Sequence, residues 1–220
     1  MVNKRVLEYP RVWLLIFGIL YLCFLVLGLF WPNSIVVAVL KVGSIFLCFL
    51  FSVIYSRKDK TLIVAMAATF AADVILAINN VAVSGVVVFS LAQTAHFVRL
   101  SQKLVRNLVS YAVIILIMIG VAIIRQADLM HVVGGVYALL LLSNLFMSFR
   151  WFKSSKKLPA GCAFFGFLLF VLCDSCVATS YLSLTEILPG FLYAIANYFA
   201  WVFYLPAQIL ISNSPKHVLQ

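Results

Sequence analysis

Asp73 and Asp174 each lie deep inside a run apolar enough to span a lipid bilayer. An ionisable carboxyl at that depth is costly, so it reads first as a functional site. Two carboxyls close together in a low-dielectric setting resist ionising together, and one then keeps its proton while the other carries charge. Such a pair supplies a general acid together with a base, or an electrostatic partner for a developing cation. The chemistry needs no metal or other cofactor, and the sequence shows no ligand cluster for a metal. The structural alternative is a protonated carboxyl that merely hydrogen-bonds a backbone carbonyl.

Helical rise puts the two acids at matched depth. At about 1.5 Å per residue, Asp73 stands roughly 18 Å along its span and Asp174 roughly 22 Å along its own. Both spans leave the same face, so the carboxyls can meet in the outer half of the core. Lys41, roughly 10 Å below the outer surface, puts a cation near their level. It can pair with a carboxylate, bind a substrate phosphate, or reach the headgroups along its own stem. Further polar side chains could line an elongated cavity. Asn197 and Tyr204 belong to the last span with Gln208, and Gln93 and His96 lie three residues apart on the fourth. A lone His or Gln in a helix bundle is otherwise an interhelical hydrogen-bonding group.

The elements that carry these residues follow from composition. Of 220 residues, 65% are hydrophobic and only 10% charged, more apolar surface than a water-soluble domain can hide. Apolar runs of roughly 20 residues exclude the short alternating segments of a membrane β-barrel. The fold class is therefore all-α and polytopic. Eight spans are expected: Val12–Phe30, Ser34–Tyr55, Thr61–Ile78, Val81–Leu100, Leu108–Ile124, Met130–Phe149, Pro159–Tyr181 and Pro189–Ser212. The first is too long for a signal-peptide core and is expected to stay as a span. The chain reads as a single transmembrane domain, with two four-helix halves (about 1–107 and 108–220) hinted at by Phe70 to Ala77 and Phe170 to Ala178. Short connections after the first and third spans predict antiparallel helical hairpins.

The net charge of +10 is distributed in a way that argues against nucleic acid. Arg57, Lys58, Lys60, Arg99, Lys103, Arg106, Arg150, Lys153, Lys156 and Lys157 follow alternate spans, while the opposite loops offer little beyond Arg125. This positive-inside pattern puts both termini in the cytoplasm and the basic side chains against anionic lipid headgroups; the expected setting is that of a multi-pass protein of the plasma membrane. The oligomeric state is not encoded in any of these signals. All five cysteines fall within spans, where disulfides are not expected, and Cys173 with Cys176 lacks a second ligand pair. No G-x-S-x-G elbow or H-E-x-x-H helix is present.

The segment Thr69-Phe70-Ala71-Ala72-Asp73-Val74-Ile75-Leu76-Ala77 resembles the gD-x-L-L motif of the YhhN-type lysoplasmalogenase family. Gly161, then Phe170 through Cys173-Asp174-Ser175, is similar to its second motif. Gly85, Phe89, Ala92, Gln93 and His96 resemble its fourth-span element, and Tyr204-Leu205-Pro206-Ala207-Gln208 its closing Y-x-x-A-Q. Lys41 falls where the family has an early lysine. Gln93 stands where the family often has His, His96 where it has Tyr, Cys173 where it has Ser and Ala72 where it has Gly. The resemblance implies a membrane hydrolase that splits the vinyl-ether bond of lysoplasmalogens into a fatty aldehyde and a glycerophospho-headgroup. Its partners would be a lysophospholipid substrate and the surrounding lipid. Asp73 and Asp174 would be catalytic, with Lys41, Gln93, His96, Asn197, Tyr204 and Gln208 around the substrate. The rival expectation is a proton-coupled transporter or channel, since intramembrane Asp pairs also serve transport.

Overall fold

The computed structural model describes residues 5–31, 34–78, 83–101, 112, 114–116, 119–120 and 128–216. Among them every regular element is a helix: α1 (Arg5–Phe30), α2 (Ile35–Tyr55), α3 (Lys60–Ile78), α4 (Val83–Leu100), α5 (Leu129–Ser155), α6 (Leu158–Leu184) and α7 (Phe191–Ser212). Six of these, α2 to α7, are long and apolar enough to cross a membrane, and α1 adds a shorter apolar stretch at Leu15–Phe30. Seven of the eight expected spans thus correspond to helices, most with ends shifted by a few residues. The fifth, Leu108–Ile124, falls mostly outside the described residues.

Helix ends follow local chemistry. Ser34 caps α2, its Oγ accepting from the Val36 N–H at 3.2 Å. Asp59 does the same for α3, accepting from the Leu62 N–H at 3.1 Å. Lys156 ends α5 in the left-handed region, at φ 51°, and Pro159 sits in the first turn of α6, where no backbone donor is lost. Pro206 lies inside α7 and leaves the Val202 carbonyl without its helical donor. The Tyr21 hydroxyl of α1 donates to that carbonyl at 2.9 Å, which fastens α1 to the rest.

Helices α2 to α7 pack each against the next, and α7 returns to α2, closing a ring; α1 lies against α2 and α7. The contacts of α1 with α2 and of α3 with α4 fit the two expected hairpins. Close approach is bought with small residues. A Cβ on Gly85 would stand 2.5 Å from a Leu76 methyl, and one on Gly166 would meet Ile211 Cγ1 at 2.7 Å and backbone atoms of Ala207 and Ile211 at 3.1 Å. The α6–α7 seam therefore depends on Gly166. Large apolar side chains such as Leu15, Val39, Leu91, Leu116, Leu142 and Phe191 point outward, as they would toward lipid.

Candidate active site

Inside the ring, buried hydroxyls mostly satisfy themselves: Thr69, Ser44 and Ser148 donate to carbonyls of their own helices. The acids cannot do this. Asp73 is 7% exposed, and its Oδ2 accepts from the Tyr204 hydroxyl of α7 at 2.7 Å. Asp174 is half-buried, and its Oδ2 accepts from the Tyr137 hydroxyl of α5. The Phe89 ring, which contacts both phenols, joins the two carboxyl–phenol pairs. Among the described residues neither carboxyl is joined to a cation, the ion pair found there being that of Arg99 with Asp59.

An aromatic layer holds both phenols. Phe89 packs edge-on to Tyr137 at 6.0 Å and to Tyr204 at 6.4 Å between ring centroids. Phe170 touches Phe89 and Tyr204, and Trp201 meets Tyr204 edge-on at 5.4 Å. Two carboxyl–phenol pairs thus share one apolar wall, drawn from α3, α4, α5, α6 and α7. Tyr204 lies in direct contact with a carboxyl. Tyr137 was not anticipated, although a mid-span tyrosine must place its hydroxyl somewhere, and that requirement was the available signal.

Lys41 belongs to the periphery of this site. Its Nζ stands 4.0 Å from the Trp201 ring centroid and 5.7 Å from that of Phe24, a cation–π arrangement in place of an ion pair with either aspartate. A cavity of about 10 Å³, room for about one water, lies between Lys41, Ser44, Trp201 and Tyr204.

The remaining expected residues do not line an open cavity. Gln93, His96 and Gln208 are enclosed, at 0%, 1% and 0% exposure. Gln93 is bound to Asn144 of α5, whose Nδ2 donates to both its Oε1 and its carbonyl at 2.9 Å. Asn144, a mid-span amide like Gln93, escaped the sequence reading. Among the described residues the Gln93 Nε2, the Asn144 Oδ1 and both amide atoms of Gln208 have no hydrogen-bond partner, so the bundle retains unused hydrogen-bonding capacity there. Asn197 is half-buried, and no hydrogen bond joins it to either aspartate among the described residues.

His96 faces the other way. Its ring packs edge-on to Phe167, and its Nδ1 lies 3.4 Å from Arg99 Nη1. Arg99 was expected at the membrane surface; instead it is a buried residue of α4, because Asp59 pairs with it at 3.2 Å. Its Nη2 also donates to the carbonyl and hydroxyl oxygens of Ser214, and Lys216 donates from its backbone N–H to Asp59 and from Nζ to the Arg99 carbonyl. Partial burial and the neighbouring Arg99 lower the Lys216 pKa. This knot gathers the α2–α3 turn, the end of α4 and the chain after α7.

A family model described as the YhhN family matches residues 36–215. No curated protein and no solved structure matches the chain.

Proposed function

We propose, from the premise that the chain belongs to the YhhN family, that it hydrolyses the vinyl-ether bond of lysoplasmalogens within the membrane. The observation that carries this reading is the two carboxyls, Asp73 and Asp174, each held by a phenol against the shared Phe89 ring and neither paired with a cation among the described residues. Vinyl ethers are cleaved by acid. A carboxyl proton goes to the carbon β to oxygen, and an oxocarbenium ion forms next to the remaining carboxylate. Water adds to that cation, and the hemiacetal collapses to aldehyde and free glycerol hydroxyl. One protonated and one ionised carboxyl suit the first step, and repulsion within the pair favours that state.

Around this centre, Lys41 on its aromatic seat is placed to attract the substrate phosphate, and Trp201 and Tyr204 lie between it and Asp73. The free Gln93 Nε2, Asn144 Oδ1 and Gln208 amide atoms, enclosed within the bundle, offer hydrogen bonds for an internal water among the described residues. His96 and Asn197 are assigned supporting places at the margins. Cytoplasmic termini remain the reading of the charge pattern.

The test is aldehyde release from choline and ethanolamine lysoplasmalogens by the purified protein in detergent. Run in D₂O, the reaction would leave one deuterium on the carbon next to the aldehyde. A folded protein that is inert on both substrates would refute the proposal. Substrate movement into sealed vesicles by that inert protein would favour transport.

A further inference from the structure

We propose that the apolar groove between α2 and α3 seats the hydrocarbon chain of the lipid substrate, with Asp73 at its inner flank. This rests on the hydrolase reading and deepens it by giving the substrate's chain a place. The groove measures about 420 Å³ and carries no polar side chain; its walls run from Ala38 to Phe46 on α2 and from Phe70 to Ile78 on α3. Both segments belong to helices long and apolar enough to cross a membrane. Val39, Phe46 and Ile78 at its rim are exposed, so the groove is continuous with the surface that faces lipid. An aliphatic chain is the occupant that matches both this lining and this setting.

Helical register brings the groove to the acid. The short link from Tyr55 to Lys60 makes α2 and α3 antiparallel neighbours, and the Phe46 and Phe70 rings meet across them at 5.2 Å. Rise is equal on both helices, so Gly43, three residues before Phe46, stands level with Asp73, three residues after Phe70. On α3 itself, Phe70, Val74 and Ala77 line the groove at helical spacing, and Asp73 lies at the edge of that stripe. A chain in the groove therefore passes beside the carboxyl that Tyr204 holds. Phe46 and Phe70 close the end nearer the α2–α3 turn, with Phe49 stacked behind Phe70 at 6.5 Å. Gly43 keeps the middle open, since a Cβ there would meet nothing within 4 Å. Hydrocarbon gains little by leaving lipid for protein, so shape decides what settles here. The free space lies at the level of the acid.

The probe is a lysophospholipid whose chain carries a diazirine and is joined by an alkyl ether, so that labelling needs no turnover. Photolysis with the purified protein in detergent should label peptides within residues 38–46 and 70–78, and unlabelled alkyl-ether lysophospholipid should compete the label away. Gly43→Leu fills the groove where no neighbour has to shift. It should keep the wild-type melting temperature and lose labelling several-fold, and Gly43→Ala should lose less. Ala77→Leu, on the exposed wall one turn from Asp73, gives the same readout if Gly43→Leu does not fold. In active preparations either leucine should raise KM several-fold with little change in kcat. Label outside the two segments would overturn the proposal, as would full labelling of folded leucine variants. Equal competition by two-chain phospholipid would reduce the groove to a place for bulk lipid, and a dimer that Gly43→Leu disrupts would give it to a second copy; either result refutes the proposal. A labelled groove in a protein inert on lysoplasmalogens would instead strike the functional reading and leave the chain site standing.

Discussion

Asp59 and Asp73 are buried to a similar degree, 4% and 7% exposed, yet their surroundings are opposite. Asp59 faces Arg99 at 3.2 Å and also accepts backbone N–H groups of Leu62 and Lys216. Its charge is answered from three directions, and the result is a fastening. Asp73 accepts one phenol and has no ion-pair partner among the described residues. Burial alone thus says little about whether an acid works or holds; the sign of its nearest charged neighbour says more.

That contrast can be broken by substitution, and the largest stability effect belongs to the fastening. Asp59→Asn leaves Arg99 buried without its anion and should cost about 3–5 kcal/mol, seen as a lower melting temperature of the detergent-solubilised protein. A fall no greater than that of Asp73→Asn would erase the distinction between the two acids. The α6–α7 seam is next. Gly166→Ala pushes a methyl into the α7 backbone and should cost about 1–3 kcal/mol, whereas Gly161→Ala, whose nearest neighbour is the Phe152 ring at 3.4 Å, should be near neutral. Equal melting temperatures for the two would remove the seam from the account. Trp201→Leu deletes a contact worth about 0.5–2 kcal/mol and should raise KM several-fold with little change in kcat.

The smallest effect is that of Lys216. Its pKa is lowered below the usual 10.5, so the folded state binds fewer protons than the unfolded state between the lowered value and 10.5. Stability contributed by this side chain should therefore rise with pH across that window. Thermal melts of wild type and Lys216→Met would show the difference shifting in favour of wild type as the pH climbs, and a constant difference would contradict the tail contact.

The same contrast explains what could be read without coordinates. Long apolar runs dictate helices of bilayer length, and helical rise alone was enough to expect Asp73 and Asp174 at matched depth, because depth is a one-dimensional property of each span. Partners across helices depend on rotation about each axis, which the near-uniform hydrophobicity of α3, α5 and α6 leaves undetermined. Tyr137 and Asn144 were missed for that reason. Arg99 was misplaced because a basic residue at the end of a span is ordinarily a surface residue, and its pairing with Asp59 depends on packing that spacing does not show. The seat of Lys41 on Trp201 was equally hidden, since nothing in spacing distinguishes an aromatic partner from an anionic one.

The central claim is that the two facing carboxyls perform acid–base chemistry on a lipid. Its most direct test is aldehyde release from lysoplasmalogen by wild type, Asp73→Asn and Asp174→Asn, each checked for an unchanged melting profile. The account predicts that both folded variants lose about 10²- to 10⁴-fold in rate. Folded variants that release aldehyde at the wild-type rate would contradict it.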